Sequence, residues 1–163
     1  MARVLSLINR ALATFCVVLC VGLVISVVWQ VFSRYVLNDP STVTDELARF
    51  LFIWVGLIGA AYGLGQNKHL AIDLLLTRLE SSPKKYTTLK IIINLIGLFF
   101  VTVIMIYGGG RLVIDTINAG QISPVLHIEM GLVYLALPMS GFFMLVFLLR
   151  DLFAEFRQLL GQN

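Results

Sequence analysis

The side chains able to do chemistry in this 163-residue chain gather between positions 32 and 73. Arg34, Asp39, Asp45, Glu46 and Arg49 stand within a few helical turns of one another, and Lys68, His69 and Asp73 follow a long apolar run. Asp45 lies four residues before Arg49 and Glu46 three, so on a helix both carboxylates can reach the same guanidinium. The chemistry on offer is ion pairing and hydrogen bonding. An exposed pair contributes only about 0–1 kcal/mol. A bilayer, however, tolerates charged groups only at its surface or against protein, so the cluster marks where the chain must touch something.

Other chemistry is missing. A protein that moves ions by itself places ionisable groups or broken helix ends at the membrane midplane. The four long apolar runs hold only neutral polar residues such as Ser26, Gln30, Asn94, Thr102 and Ser140. A haem-binding bundle needs histidines facing each other, whereas His69 and His127 fall at opposite predicted surfaces. No Walker A loop, dinucleotide signature or metal-spaced Cys/His cluster occurs, and the glycine run 108–110 lacks the following Lys-Ser or Lys-Thr, so it reads as a helix end. Cys16 and Cys20, one turn apart in an apolar run, read as buried packing residues. What remains is an accessory membrane subunit, not an enzyme, whose polar residues serve assembly.

The elements that position these residues follow from composition. The chain is 59% hydrophobic and 13% charged, against about 25% charged in a soluble domain. Its mean hydropathy is +0.94. Charge-free runs cover residues 11–33, 50–67, 91–110 and 130–149, each near the roughly 20 residues that cross a hydrocarbon core. They are apolar on every face, which excludes a β-barrel. The expectation is an all-α integral membrane protein with four transmembrane helices, over about 11–37, 50–67, 88–115 and 129–150, in a single membrane domain. The first run is too long, and ends too bulky at Trp29 and Phe32, for a cleaved signal peptide. Lys and Arg number nine on the side of the termini and middle loop and three on the other, which places both termini in the cytoplasm.

Local signals refine this plan. Residues 1–10 form a basic lead with a partly apolar face suited to the membrane surface. Asn38, Asp39, Pro40 and Ser41 stop the first helix, and Thr42 with Asp45 matches a capping box that starts the next. That helix is charged until Phe50, so a short horizontal amphipathic helix over about 42–50 is expected before the second span. Gly56, Gly59, Ala60, Ala61, Gly63 and Gly65 predict close helix packing. The apolar patch 70–76 is expected along the membrane surface. Pro138 predicts a kink in the fourth span, and an interfacial helix follows Arg150.

The ordered series FSRYVLN (32–38), DELARFLFIW (45–54), GAA (59–61) and HLAID (69–73) strongly resembles the small, Q-type membrane subunit of tripartite ATP-independent periplasmic (TRAP) transporters. Val43 stands where that family often has Trp, and Asp45 where it often has Glu. The resemblance implies a bacterial inner-membrane complex. In it a large membrane subunit carries sodium and an organic acid, such as a C4-dicarboxylate, a sialic acid or another sugar acid, by an elevator motion. A periplasmic binding protein delivers that acid. The small subunit would brace the large one and help dock the binding protein. No cofactor or metal is expected on this chain, sodium belonging to the large partner. Membrane lipids are its other contacts, and nucleic acid is not. Arg34, Tyr35, Asp45, Glu46, Arg49 and Trp54 are then expected at an outer hinge and subunit interface, and His69 and Asp73 at an inner anchor. Asn38, Asp39, Ser41, Asp115, Gln121 and His127 are expected to face the binding protein. Two other classes stand beside this one: a small oligomeric carrier or channel acting alone, and a structural subunit of a respiratory complex.

Overall fold

The computed structural model describes residues 2–66 and 83–159. Lys68, His69, Asp73 and the apolar patch 70–76 lie outside the described residues. The first helix, α1 (Ala2–Tyr35), begins well before the charge-free run. Residues 2–10, expected as a surface lead, are its first turns. No Gly or Pro interrupts positions 2–21, and Leu5 and Ile8 find a core to pack on. The helix closes at Asn38, which takes the left-handed backbone (φ 54°) that Asn tolerates better than most residues. The Asp39 N–H donates to the Ser33 carbonyl at 3.1 Å and the Ser41 N–H to the Ser33 hydroxyl at 3.3 Å, folding the turn back onto α1.

The N-cap of α2 (Thr42–Gly65) is Ser41, whose hydroxyl accepts from the Thr44 N–H, one position earlier than the capping box expected at Thr42. The horizontal helix expected over about 42–50 is not a separate element. With no Gly or Pro before Gly56, the chain continues from the cap to Gly65 as one helix about 36 Å long.

The third crossing joins α3 (Pro83–Phe100), a π-helical stretch (Val101–Gly108) and α4 (Gly109–Asn118) without interruption. The glycine run 108–110, expected as a helix end, therefore sits inside a helix where π turns return to α turns. A Cβ at Gly109 would come within 3.0 Å of the Leu137 Cβ, so the smallness of Gly109 serves packing. The fourth crossing has a joint at Leu135 between α5 (Met130–Tyr134) and α6 (Ala136–Leu159). Pro138, three residues on, explains it: the ring crowds the Tyr134 carbonyl and offers it no N–H. The segment after Arg150, expected as a surface helix, is the straight continuation of α6. It stays on the bundle because the Asn94 amide donates to the buried Glu155 carboxylate at 2.8 Å.

α1 packs on α2, α2 on α6, and α6 on the third crossing. The central helix is therefore α6. Its adjacent Phe147 and Leu148 enter two clusters, Phe147 with Leu12 and Ile58, Leu148 with Val101 and Met105. Lipid tails are as apolar as these side chains, so the clusters hold by close packing and dispersion. Where α6 meets the π stretch the approach is close, for a Cβ on Gly141 would fall 2.9 Å from the Met105 Cβ. The small residues of α2 behave differently from expectation. Ala61 and Gly65 are buried, while Gly56, Gly59 and Gly63 face open space. Cys16 packs on the first cluster, but Cys20 is exposed and not buried as expected.

Among the described residues, four helical segments are long and apolar enough to cross a membrane: Leu5–Tyr35, Thr42–Gly65, Thr88–Asn118 and Met130–Arg157. Their antiparallel order puts the turn at 36–41 and the connection 119–129 at one end, here the loop end, and the start of α1 and the end of α6 at the other, here the termini end. Gly141→Ala is expected to lower the stability of the isolated chain in detergent by about 1–3 kcal/mol, because Met105 is fixed to its backbone at the contact. Gly59→Ala, with open space at its Cβ, is expected to raise the unfolding midpoint slightly, because Ala favours the helix over Gly by about 0.5–1 kcal/mol.

Candidate functional site

Asp45 and Glu46 are neighbours on α2, so their side chains leave the helix about 100° apart. Asp45 turns toward α1 and pairs with Arg49, one turn on; its other oxygen accepts from the Gln30 amide at 3.2 Å. This group is exposed, the Arg49 side chain by 72%. Glu46 turns the other way, into the bundle, and is only 6% exposed. It does not share Arg49 as the spacing allows. Its Oε2 instead accepts from the Ser123 hydroxyl at 3.3 Å, the Val125 N–H at 3.1 Å and the Leu126 N–H at 2.8 Å. Three donors around a buried carboxylate outweigh one solvated guanidinium, which decides the orientation.

The connection 119–129 is built around that carboxylate. The Ser123 hydroxyl, spent as a donor on Glu46, accepts from the Ile128 N–H at 3.3 Å. The Ser123 N–H donates to the Ile128 carbonyl and the Met130 N–H to the Gln121 carbonyl, each at 2.9 Å. His127 sits at the tip with φ 57°, its ring nitrogen 3.2 Å from the Val125 carbonyl. At this end, then, Glu46 and Ser123 bind the second helix to the connection between the third and fourth.

The remaining expected residues fall into separate places. Arg34 and Tyr35 are exposed, and Arg34 takes no part in the bonds around Asp45 and Glu46; Gln30 and Ser33 supply the contacts from α1 instead. Trp54 is half-buried and turned into the chain's own interior, edge-on to Phe15 with centroids 6.1 Å apart. Asn38 and Asp39 are exposed in the first turn, and Ser41 is occupied as a helix cap. Asp115, near the end of α4, is exposed with Arg111 3.9 Å away. Gln121 and His127 are exposed on the 119–129 connection. All six residues expected to dock a partner thus share the loop end.

Sequence reasoning missed Ser33 and Ser123, which are buried, and Gln30 as a partner of Asp45. One signal was available, since adjacent acids on a helix cannot share one face. At the opposite end the Asn9 amide donates to the Gly65 carbonyl at 3.3 Å. From Asn9 to Gln30 along α1 is about 31 Å, close to the hydrocarbon thickness of about 30 Å, so these two polar ties between α1 and α2 bracket the apolar zone. Between them lies an open cleft of about 330 Å³, lined only by apolar side chains such as Phe15, Leu19, Leu51, Trp54 and Leu132. Such a lining can accept hydrocarbon and no charged ligand.

Comparison with known proteins gives the chain its relatives. Residues 23–158 match the family model for the DctQ component of tripartite ATP-independent periplasmic transporters. The chain is 28% identical over 134 residues to a TRAP transporter small permease protein of Haemophilus influenzae, covering 82% of this chain and 80% of that protein. It is 27% identical over 155 residues to the sialic acid TRAP transporter small permease protein SiaQ of Vibrio cholerae, covering 95% and 87%. A third relative is the C4-dicarboxylate TRAP transporter small permease protein DctQ of Rhodobacter capsulatus, 35% identical over 97 residues that make up 60% of this chain and 41% of that one.

The geometry around Glu46 is directly testable by hydrogen exchange. The Val125 and Leu126 amides are expected to be protected in the native chain and to exchange about tenfold faster or more in Glu46→Ala, because each lost acceptor leaves a partly buried N–H without its partner. Equal exchange in both proteins would contradict the contact.

Proposed function

Since the chain belongs to the DctQ family of TRAP transporter components, we propose that it braces a large permease subunit and helps dock a periplasmic binding protein, while substrate moves through the other membrane chain. This is a multi-pass membrane protein, a small permease subunit and not an enzyme, and its family works with a large permease subunit. The bracing role is supported by where the polar contacts lie. Gln30 with Asp45, Glu46 with the 119–129 connection, Asn9 with Gly65 and Asn94 with Glu155 all join helices toward the ends of the crossings. The charge-free runs between them have no ionisable group to bind and release an ion.

In this reading the termini end is cytoplasmic and the loop end periplasmic, following the nine-to-three excess of Lys and Arg. The membrane is the bacterial inner membrane, and sodium binds on the large subunit. The cargo is an organic acid, a C4-dicarboxylate or a sialic acid by analogy with the relatives. Arg34 and Arg49, exposed at the loop end, are the hinge groups that meet the large subunit. His69 and Asp73 form the cytoplasmic anchor.

Vesicles reconstituted with this chain alone are expected to take up no labelled C4-dicarboxylate or sialic acid beyond protein-free vesicles. Uptake is expected once the large subunit, the binding protein and an inward sodium gradient are supplied; uptake by the chain alone would overturn the reading. For the hinge, Arg49→Ala is expected to reduce copurification with the large subunit. Unchanged association and unchanged transport would remove Arg49 from that role.

A further inference from the structure

The 119–129 connection has an unusual dependence on a residue outside it. Pro124 has no N–H, and the next two N–H groups, of Val125 and Leu126, both end on Glu46, 79 and 80 positions away. Ser123 is 2% exposed and relays the same carboxylate to the Ile128 N–H. His127 at the tip holds a left-handed backbone (φ 57°) that is unfavourable for a non-glycine residue and persists only where the surroundings dictate it. Around this buried centre the outward face carries Gln121, Ile122 (60% exposed), Val125 and His127.

A loop of this length that had to be ordered by its partner would lose conformational freedom on binding and weaken the complex. Here the ordering is done beforehand, inside the chain. We propose that Glu46 is the positioning residue of the docking surface: acting through the turn at 123–126, its carboxylate presets Gln121, Ile122 and His127 for the periplasmic binding protein. The inference rests on the reading that this end meets that protein. Glu46 itself touches no partner, because its carboxylate is enclosed by its own chain. Its influence on docking therefore acts through the shape and lifetime of the loop.

The experiment uses the complex of this chain with its large subunit in proteoliposomes, titrated with the purified binding protein carrying labelled substrate. Glu46→Ala is expected to raise the half-saturating concentration of binding protein roughly tenfold, the size of change that loss of one or two charge-assisted hydrogen bonds produces. Glu46→Gln keeps one acceptor oxygen in place and is expected to shift it less. In both, complex yield and the uptake rate at saturating binding protein are expected to stay within about twofold of the wild type, since the carboxylate lies outside the transport path. If Gln121→Ala with His127→Ala raises the half-saturating concentration while neither Glu46 variant does, docking stands and the positioning role is overturned. If none of these variants changes it, the docking reading fails and the inference with it. A fall in complex yield or in saturating rate, with half-saturation unchanged in Glu46→Gln, would make Glu46 a folding residue only and equally overturn the proposal.

Discussion

The contact between the Glu46 carboxylate and the turn at 123–126 joins the start of the second helix to the connection between the third and fourth, across 77 to 80 positions of chain. Helices satisfy their own backbone groups and can stand in lipid unaided. A connection cannot, and one pressed against the end of a bundle needs acceptors for its N–H groups from elsewhere. A carboxylate is the side chain best able to take several donors at once. Supplying it from α2 closes the loop end of a bundle whose helices otherwise lie in a row, α1 on α2 on α6 on the third crossing.

Along the length of the bundle, shape takes over from polarity. Phe147 and Leu148 of α6 fill the two clusters that hold neighbours on either side. The two irregular stretches meet there as well. The π-helical turns of the third crossing lie against the fourth just beyond its proline joint, with Gly109 beside Leu137 and Pro138 and Gly141 beside Met105. Missing side chains on one helix make room for the backbone of the other, which is how helices associate when water supplies no drive.

This arrangement suits a chain that keeps its form while another moves. Its interhelical hydrogen bonds sit toward the ends, its centre is dispersion contact, and the described crossings show no broken helix end opening a polar cavity at mid-depth. Several faces stay uncovered by the chain itself, among them the glycine positions 56, 59 and 63 of α2 and the apolar cleft beside Trp54. The proposed brace has the means to present surfaces.

Length and composition determined the four crossings and the all-helical class, because apolar runs of membrane length have only one economical backbone solution, and the motif series, being local in sequence, pointed to the family. The turn at 38–41 and the start of α2 were legible for the same reason. The boundaries were not: residues 2–10, 42–50 and 151–159 read as surface segments, yet each belongs to one of the long helices, where neighbouring helices offer partners to Leu5 and Glu155 and the 119–129 connection offers them to Glu46. Helical spacing allowed Glu46 to reach Arg49, and only the folded chain, by bringing three donors from a connection some 80 residues away, decided that it would not. Local sequence governs which backbone forms; where a buried charge finds its partners is a property of packing, and packing is not local.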